Sequence, residues 1–569
     1  MKKLILLFTI TFLVNNNILF SQNNKEHKRF TKPLDEETAE KEFIPNSFSD
    51  FIPNYTNSVF MNYNISNNIF PQNETSVKIS RKNPNYVVGA WRDFRQGVNP
   101  PNRRVGYSYS NDGGITWSVS NLLDSTLLSG YPRNSDPAVG IDTAGNFYIA
   151  VICISYAGRG ALAVYKSTDN GVTFPNAYIV ADDGSEDKEY ITTDLTPGSI
   201  YKNNLYMSWT RFSNNNGIKL TKSTNGGVNW TAAVNISTDA TDGQGSDLAV
   251  GLSGEIYVTW VGGTASEDYI YFSKSVNGGT SFDSVKTISI GATPNIPISS
   301  SGVTFPSIAT DISGGPGNGN IYISYCDART GDPDIYLLRS TNRGANWSTP
   351  LRVNDDAVAN GKLQCWPWIE VNDSGNIAIV YYDSRNTTSN TIIEAYLGYS
   401  INGGVSFTNH KLSSEPSPTV APNSAVRFGD YIGIDYYKDR IIPIWCDERL
   451  GGTNQEAFTA IVSTPVSISS LTNNIPDKFI LEQNYPNPFN PKTNLEFGIS
   501  YLGFVSLKVY DVLGNEVATF VNERKNAGSY KVEFDGSGFS SGTYFYRIQA
   551  TNVATGESIV QTKKMLLIK

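Results

Sequence analysis

Four short motifs in the chain bring together groups capable of chemistry. Asp93-Phe-Arg95, Asp327-Ala-Arg329, Asp383-Ser-Arg385 and Asp447-Glu-Arg449 each set a carboxylate two residues before a guanidinium. An aromatic residue stands two positions earlier in every case: Trp91, Tyr325, Tyr381 and Trp445. Residues two apart in a strand share a face, so the acid and the base point the same way. Arginine forks grip oxyanions and carboxylates accept from sugar hydroxyls, which suits a groove for a carbohydrate or an acidic ligand. The same pairs, repeated at equivalent places, would equally tie neighbouring units of a fold together. The richest local cluster is DARTGDPD (327–334), with Arg329, Asp332 and Asp334. Paired carboxylates at the right separation cleave glycosides, whereas a run of Asp, Gly and Pro also reads as a turn.

Composition excludes several other chemistries. The 569 residues carry 45 basic and 53 acidic side chains, a net charge of −8, with no strong Lys/Arg run. A nucleic-acid partner is therefore not expected. Two histidines, His27 and His410, are too few for multi-histidine metal sites. The four cysteines, Cys153, Cys326, Cys365 and Cys446, lack CxxC spacing. No metal and no cofactor are expected. A Cys326–Cys365 disulfide and buried free thiols are both open readings.

The elements that would position the motifs come from a repeat. SNDGGITW begins at Ser110, and close variants begin at Ser167, Ser223, Ser275, Ser340 and Ser400, at offsets of 57, 56, 52, 65 and 60 residues. Such spacing marks a repeat architecture. Asp or Asn caps its own turn, glycine supplies positive φ, and the final aromatic anchors the hairpin. Asp112 and Asp169 become Asn225, Asn277, Asn342 and Asn402. Losing the charge would harm a calcium site but not a turn. Each copy follows three strand-like runs and precedes a fourth, which describes the blade of a β-propeller. Second strands such as VVGAWRD, NIYISYC and RIIPIWC count seven blades, with six as the alternative. The seventh lacks the turn, and residues 57–66 (NSVFMNYNIS) would supply its fourth strand. The motif blades, one, five, six and seven, are then consecutive in the ring.

The six turns resemble the Asp-boxes of the sialidase-like, BNR-repeat superfamily over roughly residues 76–464. That resemblance implies an Asp-box β-propeller whose ligand face lies opposite the turns. Sialidases also carry a Phe/Tyr-Arg-Ile-Pro motif on an early inner strand. Here the nearest strings are TFPSIA (304–309), without the arginine, and YPRNSDP (131–137), in the wrong order.

After Pro465 the rhythm stops. The motifs Asn484-Tyr-Pro-Asn-Pro-Phe-Asn-Pro491, Val509-Tyr-Asp-Val-Leu-Gly514, Ser541-Gly-Thr-Tyr544 and Lys563-Lys-Met565 lie among alternating strands of a small Ig-like β-sandwich. They resemble the C-terminal sorting domain of type IX secretion cargo. The resemblance implies a Gram-negative bacterium of the Bacteroidota kind and passage through the outer membrane.

The expected organisation is a signal peptide (1–21), an Asn-rich segment (22–75), an all-β propeller (76–464), a linker (465–477) and a sorting domain (478–569). No membrane span is expected in the mature chain. The expected function is a secreted or cell-surface propeller that binds glycan or protein without a complete active site. The alternative is an exo-sialidase-like glycoside hydrolase.

Overall fold

The computed structural model describes residues 60–97, 102–212, 216–238, 241–298, 302–419, 428–451, 454–463, 479–500, 503–525, 528–536, 539–552 and 558–569. The expected signal peptide and linker lie outside the described residues. The chain divides into two compact units between Val462 and Ser463.

The first unit contains seven antiparallel sheets, each built around a meander of four strands. Six are formed by consecutive strands, the first being Gln72–Ile79, Val87–Asp93, Arg104–Ser110 and Asn121–Leu122. The seventh meander combines Gly433–Tyr437, Arg440–Asp447 and Glu456–Ala460 with the early strand Asn62–Asn64. Asn62 pairs with Ala460 and Asn64 with Phe458, so the N-terminal side supplies the outer strand, as the sequence reading anticipates. First strands touch their neighbours around the whole ring, including the first sheet against the seventh. The molecule is a seven-bladed propeller closed without an open sheet edge at the seam.

Second strands are buried on both faces because blades pack on each side of them. Val87–Asp93, Leu205–Arg211, Ile321–Asp327 and Ile377–Asp383 are buried throughout. Trp91, Trp209, Trp260 and Trp445 occupy one equivalent position and are among the largest fully buried side chains.

The six repeated turns share one hydrogen-bond pattern. In the first, the Gly114 amide donates to Ser110 Oγ (2.8 Å) and the Thr116 amide to Asp112 Oδ1 (2.9 Å). In the third, Gly227 donates to Ser223 Oγ (2.9 Å) and Asn229 to Asn225 Oδ1 (2.9 Å). Asp and Asn therefore do the same work through the shared acceptor oxygen. Gly114 and Gly227 have φ of +95° and +84°, which explains glycine there. All four cysteines are buried and unbonded. Cys326 Sγ instead donates to the Gln364 carbonyl (3.3 Å).

The second unit is a sandwich of a three-stranded and a four-stranded sheet. Strand Gly503–Tyr510 alternates buried and more exposed residues, the period-two pattern of a half-buried strand. Leu495, Phe497, Leu507, Tyr546, Ile548 and Met565 form the core between the sheets. The Tyr546 hydroxyl donates to Glu482 O (2.7 Å) and accepts from the Asn484 amide (2.8 Å), fixing the start of the Asn-Tyr-Pro motif.

Candidate functional site

Register separates the two ends of the propeller. Ser110, opening a repeated turn, lies opposite Val87, whereas Asp93 lies opposite Arg104. The turns and the Asp-x-Arg motifs therefore occupy opposite ends of the blades.

At the Asp-x-Arg end each arginine folds back on its own aspartate. Arg95 donates through Nε to Asp93 Oδ1 (2.9 Å) and through Nη2 to Oδ2 (2.6 Å). Asp93 also accepts the Arg95 amide and the Trp91 indole, both at 3.0 Å. Arg329 bonds Asp327 through Nε and Nη2, Arg385 bonds Asp383 through Nε and Arg449 bonds Asp447 through Nη2, and in each case the arginine's backbone amide donates to the same aspartate. Three guanidiniums also reach the preceding blade. Arg329 donates to Ser289 Oγ (3.0 Å), Arg385 to Asp355, and Arg449 to Ser414 Oγ (2.7 Å). Arg95 instead reaches Ser120 within its own blade (2.7 Å to Oγ). The aspartates are buried, and burial against Arg385 and Gln364 leaves Asp383 raised to about 6.

Blades two, three and four vary this clamp. Arg211 takes its carboxylate from the first strand, pairing with Glu186 at 2.9 Å, and the Trp209 indole donates to the same group. Cys153 Sγ donates to Ala161 O (3.4 Å), and Gly262 leaves its place empty of side chain.

The Arg329–Asp332–Asp334 cluster does not assemble. Asp334 pairs with Arg352 (2.7 Å) and Asn354 (2.7 Å). Asp332 accepts the Gly361 amide (2.6 Å). Neither carboxylate meets Arg329.

A second constellation lies at the axis, and sequence reasoning missed it. Five first strands break register at one level: between Asn73 and Ser76, Ser135 and Ala138, Asp187 and Tyr190, Gln244 and Asp247, and Cys365 and Trp368. Each break contains a residue with positive φ: Glu74, Asp136, Lys188, Gly245 and Trp366. The four that are not glycine are strained by about 1–3 kcal/mol each. At Gly245 a Cβ would fall 1.8 Å from Phe305, so only glycine fits. This geometry gathers charge. Lys188 Nζ lies 3.3 Å from Asp136, 3.4 Å from Asp430 and 3.8 Å from Glu74, and Arg92 lies 3.2 Å from Glu74. The Lys188 ammonium also sits 4.9 Å from the Tyr431 ring centre. Burial disfavours its charge, but Glu74, Asp136 and Asp430 outweigh that and hold its pKa well above normal. Burial, with Asp136 beside it, pushes Glu189 well up, and neither of its oxygens has a hydrogen-bond partner. All these groups are at most 7 % exposed. The signal was faint: one charged residue on each of three blades, displaced from strict alternation by the bulge.

Further along the same strands the axis opens. Opposite equivalent second-strand positions stand Ser76, Ala138, Tyr190, Asp247, Ser307, Trp368 and Gly433. Two residues on come Lys78, Gly140, Thr192, Ala249, Ala309, Glu370 and Asp435. Small residues at this second level leave a cavity of about 450 Å³ towards the repeated-turn end. Two of its cations, Lys78 and Arg81, are paired. Lys78 bonds Glu370, and Arg81 bonds Asp435 at 2.7 and 2.8 Å. Burial opposes ionisation of Asp435, yet Arg81 and Lys78 prevail and lower it to about 2.

Among the described residues no group of three or more His, Cys, Asp or Glu side chains is disposed to hold a metal, and no helix is long and apolar enough to cross a membrane. Residues 483–562 match the family described as the secretion system C-terminal sorting domain. No curated protein matches the chain. Among solved structures, a leech intramolecular trans-sialidase is similar at 13% identity and a TM-score of 0.42, over 59% of this chain and 67% of that one. A protein of unknown function from Dyadobacter fermentans is similar at 14% identity and a TM-score of 0.41, over 73% and 100%. A Penicillium chrysogenum α-L-arabinanase is similar at 12% identity and a TM-score of 0.39, over 72% and 98%. The propeller assignment rests on the sheet topology described above.

Proposed function

We infer that the chain, a seven-bladed propeller carrying a type IX secretion sorting domain, is delivered to the outer surface or the medium. We propose that residues 76–464 bind an extracellular glycan or protein without cleaving glycosidic bonds. The carrying observation is that every Asp-x-Arg guanidinium is bonded to its own aspartate, through two nitrogens in Arg95 and Arg329, and in Arg385 and Arg449 through one nitrogen with the arginine's own backbone amide on the same carboxylate. An arginine so held is a cross-brace, and gripping a substrate carboxylate would require breaking a charge-assisted pair. Asp93, Arg95, Asp327, Arg329, Asp383, Arg385, Asp447 and Arg449 are accordingly read as braces between strands and blades. A sialidase-type hydrolase would need arginines free to converge on the substrate and a tyrosine paired with glutamate.

Purified full-length protein incubated with a fluorogenic sialoside tests this reading. No turnover above the buffer rate is expected; turnover abolished by Arg329→Ala would overturn it.

Export follows from the same organisation. Residues 1–21 would direct the chain to the periplasm and residues 478–569 would address it to the secretion machinery. Deleting 478–569 is expected to leave a folded propeller in the periplasm, because the seven blades close on their own strands. Fractionation with a thermal melt checks both parts. Truncated protein in the medium would contradict the sorting role.

A further inference from the structure

We infer that the axial cavity at the repeated-turn end is a binding site for a neutral saccharide of one or two rings. This rests on the reading of the protein as a non-hydrolytic binder and assigns its ligand to the end away from the Asp-x-Arg motifs.

The floor of the cavity is aromatic. Tyr190 and Trp368 lie 4.8 Å apart by ring centres, and Tyr431 stands 5.8 Å from Tyr190. Aromatic faces of this kind receive the apolar C–H face of a sugar while polar groups take its hydroxyls. Two such polar groups wait unfilled. Tyr190 and Thr193 are both lining residues at least nine-tenths buried, and the Tyr190 hydroxyl and Thr193 Oγ1, which lie beneath the cavity surface, have no hydrogen-bond partner. A buried hydroxyl without a partner is costly, and a ligand hydroxyl would satisfy it. Asp247 adds a carboxyl on the same wall, already oriented by the Ser307 hydroxyl and the Ile308 amide, each at 2.9 Å.

Charge decides which saccharide. Lys78 is taken up by Glu370, and Arg81 by Asp435 on both nitrogens. An acidic sugar drawn to either of these cations would have to displace its carboxylate, whereas a neutral one leaves both pairs intact; the other lining cation, Lys202, is solvent-exposed. The volume of about 450 Å³ lies within the usual range for small-molecule sites, roughly 300–1,000 Å³. A hydrated channel without a ligand would need neither the aromatic floor nor the unpartnered hydroxyls beside it.

The test is calorimetric titration of the full-length protein with neutral mono- and disaccharides of glucose, mannose and galactose, and with a sialylated and a sulfated sugar beside them. Saturable binding of at least one neutral sugar is expected. Trp368→Ala should weaken it at least tenfold. Thr192→Trp, which fills the cavity from a partly exposed position, should do the same with an unchanged melting temperature. Absence of neutral-sugar binding at millimolar concentration, binding confined to the acidic sugars, or binding indifferent to Thr192→Trp would each overturn the inference. Those outcomes leave the non-hydrolytic reading standing, since only sialoside turnover removes it.

Discussion

The two ends of the propeller are built from the same strands and reach opposite solutions. At the Asp-x-Arg end, left-handed residues turn Glu74, Asp136 and Lys188 to the axis, where they meet Asp430 and bury one another's charge. At the repeated-turn end, Gly140, Ala249 and Ala309 leave the axis open. The outer rims differ too. Guanidinium–carboxylate braces hold one, while Ser–Asp or Ser–Asn turns hold the other. A symmetric scaffold thus acquires a closed end and an open end through one residue per blade at each level.

The largest consequence should appear on removing the central cation. Lys188→Met leaves three buried carboxylates without their shared partner and is expected to cost about 3–5 kcal/mol. The matching change at the open end, Lys78→Met, removes a partly exposed partner of Glu370 and of the buried Asp435, which keeps Arg81, and should cost less, about 1–2 kcal/mol. Urea unfolding of both variants checks the ratio; equal losses would dissolve the contrast. Within the braces, Arg449 is 2 % exposed and Arg329 27 %. Arg449→Ala should therefore destabilise by about 2–4 kcal/mol and Arg329→Ala by about 1 kcal/mol.

Titration distinguishes the ends in sign. Burial raises Glu448, inside the fourth Asp-x-Arg motif, to about 8. Its folded form stays protonated while the unfolded chain ionises, so it removes stability as pH rises from about 4.5 to 8. Glu448→Gln is expected to be nearly neutral at pH 5 and to stabilise by about 1–3 kcal/mol at pH 9. At the turn end burial opposes ionisation of Asp112, but hydrogen bonds from Thr116 and Ser110 outweigh it and lower its pKa. That contribution is present above the ordinary aspartate pKa and is lost as pH falls through the folded value. Asp112→Asn at pH 7 should change stability by no more than about 0.5 kcal/mol, since asparagine fills the same place in four other turns. Thermal melts from pH 3 to 9 measure both.

Much of this plan is legible in the letters, and the gaps are physical. Six serine-led turns at regular spacing reveal the repeat, the second strands carry the count of seven, and the missing seventh turn points to the borrowed strand Asn62–Asn64. The Asp-x-Arg motifs are equally visible, because acid and base stand two apart on one strand. Their partners are not: Ser289, Asp355 and Ser414 come from neighbouring blades, about 30–40 residues away in the chain. The axial cluster is hidden for a different reason. A register break moves Glu74, Asp136 and Lys188 off the period-two pattern, so their convergence depends on backbone conformation rather than on residue type. The cavity is a consequence of small residues on three different blades and leaves no local mark.

A crystal of the full-length protein soaked in a neutral disaccharide tests the contrast between the ends most directly. The account predicts the sugar at the axis of the repeated-turn end, a ring against Trp368 and a hydroxyl on Tyr190, with all four Asp-x-Arg arginines still on their aspartates. A sugar held instead by Arg95, Arg329, Arg385 or Arg449 at the opposite end, with its brace opened, would contradict it.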